Sequence, residues 1–116
     1  MKTFKNTAAQ GEIGIRRIAK LPSDVTPMKT ATGRHIIGHS ETGHHHVLER
    51  PAKVFEAKAA TAGMRILYAI IEDANVLTHD RPFDTHEPIA LDPGIYEFRI
   101  GREYDPYEAI ARRQAD

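Results

Sequence analysis

Met64-Arg65-Ile66-Leu67-Tyr68-Ala69-Ile70-Ile71 is the most apolar run of the chain, bounded by Gly63 and by Glu72-Asp73. A short apolar run between turn signals suits a strand buried on both faces better than a helix. It is therefore expected at the centre of a sheet. Residues 75–79 (NVLTH) read as the next strand, paired with the first through the tight Glu72-Asp73-Ala74 turn region. Residues 79–86 (HDRPFDTH) form a charged, proline-containing loop, and residues 87–91 a further short strand. In Asp92-Pro93-Gly94 the proline is expected to preset φ and the glycine to take the left-handed position of a turn. Residues 95–100 then alternate, with Tyr96, Phe98 and Ile100 on one face and Glu97 and Arg99 on the other.

Upstream, residues 34–39 (RHIIGH) and 44–50 (HHHVLER) are two strand-like runs joined by Ser40-Glu41-Thr42-Gly43. A connection ending in glycine suits a β-hairpin, because glycine supplies positive φ. Pro51 ends or bends the second run, and Val54-Phe55 continues as strand. The Ala-rich residues 57–63 read either as a helical turn or as a connection. Residues 12–18 place Ile13 and Ile15 on one strand face and Arg16 on the other, and Leu21-Pro22-Ser23-Asp24 stops them. Pro27 and Gly33 bracket another loop. Residues 1–10 are polar, with Phe4 as their one bulky apolar anchor, and read as an N-terminal arm that orders by docking. At the other end Asp105-Pro106-Tyr107-Glu108 carries the cap, the proline and the acidic residue that open a helix. A short helix over 106–113 is expected, packing Tyr107, Ile110 and Ala111 on the sheet. The expectation is thus a mainly β protein, a small antiparallel sandwich or barrel with one short C-terminal helix, in a single β-rich domain over 11–116.

Composition narrows the function. The 116 residues contain no cysteine, which excludes disulfides, thiolate zinc sites, iron–sulfur clusters and cysteine nucleophiles. Sixteen Lys and Arg balance sixteen Asp and Glu, which argues against a basic nucleic-acid binder. No apolar run reaches the roughly 18 residues of a membrane helix, and the N-terminus lacks a signal-peptide core. A soluble chain made in the cytoplasm is expected. The neutrality is a cancellation: residues 1–58 stand at +5 and residues 59–116 at −5. The halves either neutralise each other across the fold or give a dipolar surface suited to association with copies of the chain or a partner.

Seven histidines are the unusual part of the composition. His39, His44, His45 and His46 flank the first hairpin loop, and His79 and His86 bracket the second loop. In an extended segment His44 and His46 share a face. With His39 across the hairpin mouth, and Glu41 or His79 and His86 nearby, they make a workable shell for zinc, iron, copper or manganese. The alternatives are polar residues flanking exposed loops, or a cluster of rings that charge together as pH falls and sensitise an interface to pH. Metal-free catalysis finds little support. Ser40 lies between His39 and Glu41, but neighbours in an extended segment point to opposite sides. No phosphate-cradling glycine loop is present, and the few aromatics are not interleaved with basic residues.

Three segments carry a resemblance: Gln10-Gly11-Glu12-Ile13, residues 38–48 (GHSETGHHHVL) and residues 86–104 (HEPIALDPGIYEFRIGREY). In combination they resemble a family of small proteins common in tailed bacteriophages and prophage-bearing genomes. That family has a histidine-rich Glu…Thr-Gly-His-x-His hairpin, a Pro-Ile-x-Leu-x-x-Gly-x-Tyr strand and a closing Arg-Glu-Tyr. Gly101 stands where members usually carry glutamine before Arg102-Glu103-Tyr104, a segment best read as tying helix to sheet. The resemblance implies a phage context rather than a reaction, and by position His39, His44, His46, His79 and His86 are its polar candidates. Two expectations follow. One is a non-enzymatic phage protein, a head or tail accessory subunit or small binding protein. Such a protein is synthesised in the host cytoplasm, enters the virion, and contacts other phage subunits or copies of itself. The other is a histidine-rich β-barrel metalloprotein, enzymatic or not, built on those five histidines.

Overall fold

A computed structural model describes residues 1–30, 33–38, 45–59, 63–79 and 87–101. Within them the chain forms ten strands and no helix. These are β1 (Thr7–Gln10), β2 (Ile13–Ile18), β3 (Val25–Met28), β4 (Ile36–Gly38), β5 (His46–Leu48), β6 (Lys53–Ala57), β7 (Met64–Ile71), β8 (Asn75–His79), β9 (Ile89–Leu91) and β10 (Gly94–Gly101). They make two antiparallel sheets, a six-stranded one in the order β1-β2-β10-β7-β6-β3 and a four-stranded one in the order β4-β5-β8-β9. The helix expected over 106–113 and the Arg102-Glu103-Tyr104 segment lie outside the described residues.

One apolar cluster joins the sheets. The large sheet contributes Ile13, Ile15, Val54, Leu67, Ala69, Ile71, Tyr96, Phe98 and Ile100, and the small sheet faces them with Ile37, Leu48, Leu77, Ile89 and Leu91. Each buried aliphatic or aromatic side chain of this kind contributes about 1.5–3 kcal/mol. The inward set follows the strand period of two: Tyr96, Phe98 and Ile100 pack inward while Arg99 is exposed, as the alternation of residues 95–100 requires. Glu97 is nevertheless buried. It lies on the outer face, opposite Arg16 on one side and Tyr68 on the other, and accepts hydrogen bonds from Arg16 Nη2 at 3.0 Å and Arg99 Nε at 2.8 Å.

The apolar run of β7 and the alternating strand β10 are the two central strands of the large sheet. The expected pairing of residues 64–71 with 75–79 is not made. Residues 72–74 carry the chain across to the small sheet, where β8 pairs with β5 and β9. The chain also crosses between the sheets at residues 49–52, and Asn75 fastens these two crossings together. Its Oδ1 accepts from Arg50 N at 3.0 Å and Val76 N at 2.8 Å, and its Nδ2 donates to Arg50 O at 2.9 Å. Two strands went unread in the sequence, β1 and β3. Pro27 sits inside β3, which is tolerated because β3 is an edge strand.

Residues 1–10 dock on their own domain. Lys2 N donates to Pro88 O and Ala90 N donates to Lys2 O, both at 2.9 Å, which places this residue along β9. Phe4 meets the edge of Tyr96 with ring centroids 5.8 Å apart, and residues 7–10 are strand β1. The boundary expected after residue 10 therefore falls inside the β1–β2 hairpin, whose two-residue turn has Gly11 at φ 58°. Arg16–Glu97 at 3.0 Å, Lys53–Glu72 at 3.3 Å and the N-terminal amine with Glu87 at 3.4 Å join the basic half to the acidic half. At these contacts the two halves neutralise each other within the fold.

Candidate functional site

The topology gathers four chain segments at one end of the two sheets. The β1–β2 turn, the end of β4, the start of β5 and the end of β8 all lie there. His46, first residue of β5, is paired with His79, last residue of β8. Both are buried, and their rings stack with centroids 4.2 Å apart and planes 3° apart. On the other side of His46 lies Gly38, its partner in β4. A Cβ added there would come within 2.8 Å of Ile13 Cδ1 and 3.2 Å of His46 Cδ2. A side chain there would press on Ile13 and His46, both of which are buried against that backbone. Gly38→Ala is expected to cost about 1–3 kcal/mol through overpacking, read as a lower denaturant midpoint with an unchanged m-value.

Gln10 reaches into this end from the large sheet and is buried to 2 % exposure. Its Nε2 donates to Leu77 O and to Glu87 O, both at 3.0 Å. Carbonyls cannot donate, so the amide nitrogen must face them and Oε1 must face His46 Nδ1, which lies 2.8 Å away. That oxygen can only accept. The network therefore puts a proton on Nδ1 of His46 and makes Nε2 its second functional atom. Nε2 lies 3.7 Å from Glu12 Oε1, on the turn that follows β1. Gln10 and Glu12 join the site, and neither is among the candidates that the histidine pattern of the sequence offers. A glutamine at the inward position of a strand, two residues after Ala8 and just before a glycine turn, is the signal for the first of them.

Of the five histidines expected to bind metal, the structure brings His46 and His79 together. His39, His44 and His86 lie outside the described residues. Imidazole binds metals along in-plane lone pairs, and two rings in nearly parallel planes present lone pairs that run side by side without converging. As stacked, His46 and His79 do not chelate one ion through both rings. Among the described residues no group of three or more His, Cys, Asp or Glu is placed to hold a metal ion. His46 Nε2 and Glu12 Oε1 remain as a pair of donor atoms that one cation could bridge.

His35 is a buried histidine away from this end. Burial pushes its pKa below the ordinary histidine value, with an opposing effect of a backbone hydrogen bond at Ala52. A histidine held neutral in the fold stabilises it above the unfolded value of about 6.5, and that stabilisation is lost as pH falls through the lower folded value. Stability is therefore expected to decline on acidification below about pH 6.5. Denaturant melts at several pH values should show a shallower decline for His35→Gln.

The class of molecule defined so far is a small two-sheet β domain, closed at one end by a buried Gln–His–His cluster. A family model described as a domain of unknown function, DUF8820, matches residues 9–101, and the chain belongs to that family. The match runs from β1 to the end of β10 and so takes in both sheets and the Gln10–His46 cluster. No curated protein and no solved structure matches the chain.

Proposed function

We propose that this protein is a non-enzymatic bacteriophage protein, a head or tail accessory subunit or small binding protein that works by docking on other subunits. The phage context comes from the resemblance of residues 10–13, 38–48 and 86–104 to the prophage family. The observation that carries the docking role is the state of the sheet edges. Open sheets expose unpaired backbone at their edges, and proteins that stay single blunt them. Here β3 carries Pro27, β4 is three residues long with a register irregularity, and β9 is bonded along its edge by Lys2. The fourth edge, β1, is Thr7-Ala8-Ala9-Gln10, with no proline, charge or bulge. Among the described residues, one edge is left open beside three that are blunted, and such an edge is what a docking protein uses. The reading includes synthesis in the host cytoplasm, incorporation in the virion, and the short helix over 106–113 as a further packing element. Mass spectrometry of purified particles tests it. Peptides of this chain at a fixed ratio to the major capsid protein are expected, and their absence from particles rejects the reading.

Metal binding is the second reading, and the bite of His46 Nε2 and Glu12 Oε1 at 3.7 Å favours it. The hydrogen bond from Nδ1–H to Gln10 is the kind of outer contact that orients a ligating histidine. Zinc, iron, copper or manganese would be held there, with His39, His44 or His86 as further ligands and His79 if its ring turns out of the stack. Elemental analysis of untagged protein decides: near-stoichiometric metal, lost in Glu12→Ala, is expected, and only trace amounts of all four metals reject this reading.

A further inference from the structure

We infer that the open edge of β1 pairs with the same strand of a second copy, joining two six-stranded sheets edge to edge about a two-fold axis. The inference rests on the docking role of β1 and adds the partner and the register. The backbone supplies both. Arg17 N donates to Asn6 O at 2.8 Å, and the β1–β2 register pairs Thr7 with Arg16 and Gln10 with Ile13. In an antiparallel ladder hydrogen-bonded and non-hydrogen-bonded pairs alternate. Asn6, Ala8 and Gln10 therefore bond to β2, whereas the N–H and C=O groups of Thr7 and Ala9 point away from the sheet. Both residues are exposed.

Those four groups are self-complementary. Antiparallel pairing with Thr7 opposite Ala9 of the second copy, and Ala9 opposite its Thr7, satisfies all of them at once. Ala8 then faces Ala8 of the other copy across the axis, a close non-hydrogen-bonded pair in which small side chains fit. A bend at Lys5-Asn6 and the turn at Gly11-Glu12 confine the pairing to these residues, so the register cannot slide far. No like charges meet: the facing residues are Asn, Thr, Ala and Gln. The arrangement is isologous and closes at two copies.

Sedimentation equilibrium of the full chain tests the pairing. A dimer is expected, weakened about tenfold or more in Ala9→Pro, which deletes an outward N–H without touching the β2 ladder. Thr7→Lys with Ala9→Lys sets like charges opposite each other and should also give monomers. Thr7→Lys with Ala9→Glu sets opposite charges in the same places and should restore the dimer, which separates a lost interface from a lost fold. Because the chain has no cysteine, Ala8→Cys should oxidise to a single covalent dimer. A wild-type monomer at high micromolar concentration, or charge swaps with no effect on the mass, overturns the inference. Its failure is distinct from that of the docking role: a monomer present in particles rejects the dimer alone, and a dimer absent from particles rejects the phage role alone.

Discussion

Gln10→Ala is expected to lower the stability of the fold by about 3 kcal/mol or more, among the largest effects of any polar substitution in this chain. The side chain leaves the large sheet and makes three hydrogen bonds, to Leu77 O and His46 Nδ1 of the small sheet and to Glu87 O just before β9. Alanine strands Leu77 O and His46 Nδ1 in a buried site and Glu87 O in a partly buried one, and each buried stranded group costs about 1–3 kcal/mol before the structure relaxes. Gln10→Glu discriminates between volume and chemistry. Glutamate fills nearly the same space, but its carboxylate would face two carbonyl oxygens with no donor to offer. It should be as harmful as alanine at neutral pH and less harmful in acid, where a protonated carboxyl regains one donor. Urea melts of the two variants check this. If glutamate is tolerated at pH 7, the assigned orientation of the Gln10 amide is wrong.

Asn75→Ala is expected to cost about 2–4 kcal/mol, for a related reason at the opposite end. Asn75 ties residue 50, in the crossing from β5 to β6, to the crossing from β7 to β8 through Arg50 N, Arg50 O and Val76 N. Both crossings carry the chain from one sheet to the other, so losing the tie loosens the corners that close the two-layer arrangement. Asn75→Asp separates the two halves of the interaction. It keeps the acceptor for Arg50 N and Val76 N and loses the donor to Arg50 O, so its cost should fall between wild type and alanine. Hydrogen exchange should show the loss of protection first at Arg50 and Val76, before the central strands β7 and β10 open.

Strands with a strong period were legible in the sequence. Residues 95–100 alternate without interruption, and the apolar run 64–71 lies at the sheet centre as its composition implies. Partner choice was less legible. Residues 72–74 look like a hairpin turn, yet they cross between sheets, because Asn75 finds its hydrogen bonds at Arg50 and β8 finds β5. Such long-range pairing leaves no local trace. Two of the four edge strands were missed for a different reason: β1 is short and polar, and β3 contains Pro27, so neither shows the apolar signature of a core strand. The histidine clustering was visible, and the pairing of His46 with His79 follows from placing their two hairpins in one sheet. Gln10 as their fastening was not visible, since a lone glutamine thirty-six residues from its histidine partner carries no pattern until the sheets are assembled.

Gln10 fastens the histidine end, with the proton of His46 on Nδ1. Nitrogen-15 NMR of the imidazole rings at neutral pH reads that proton directly. The prediction is a protonated Nδ1 at His46, slow to exchange with water and lost as a distinct signal in Gln10→Glu. A neutral His46 with its proton on Nε2, or a Nδ1 proton indifferent to the substitution at Gln10, would contradict it.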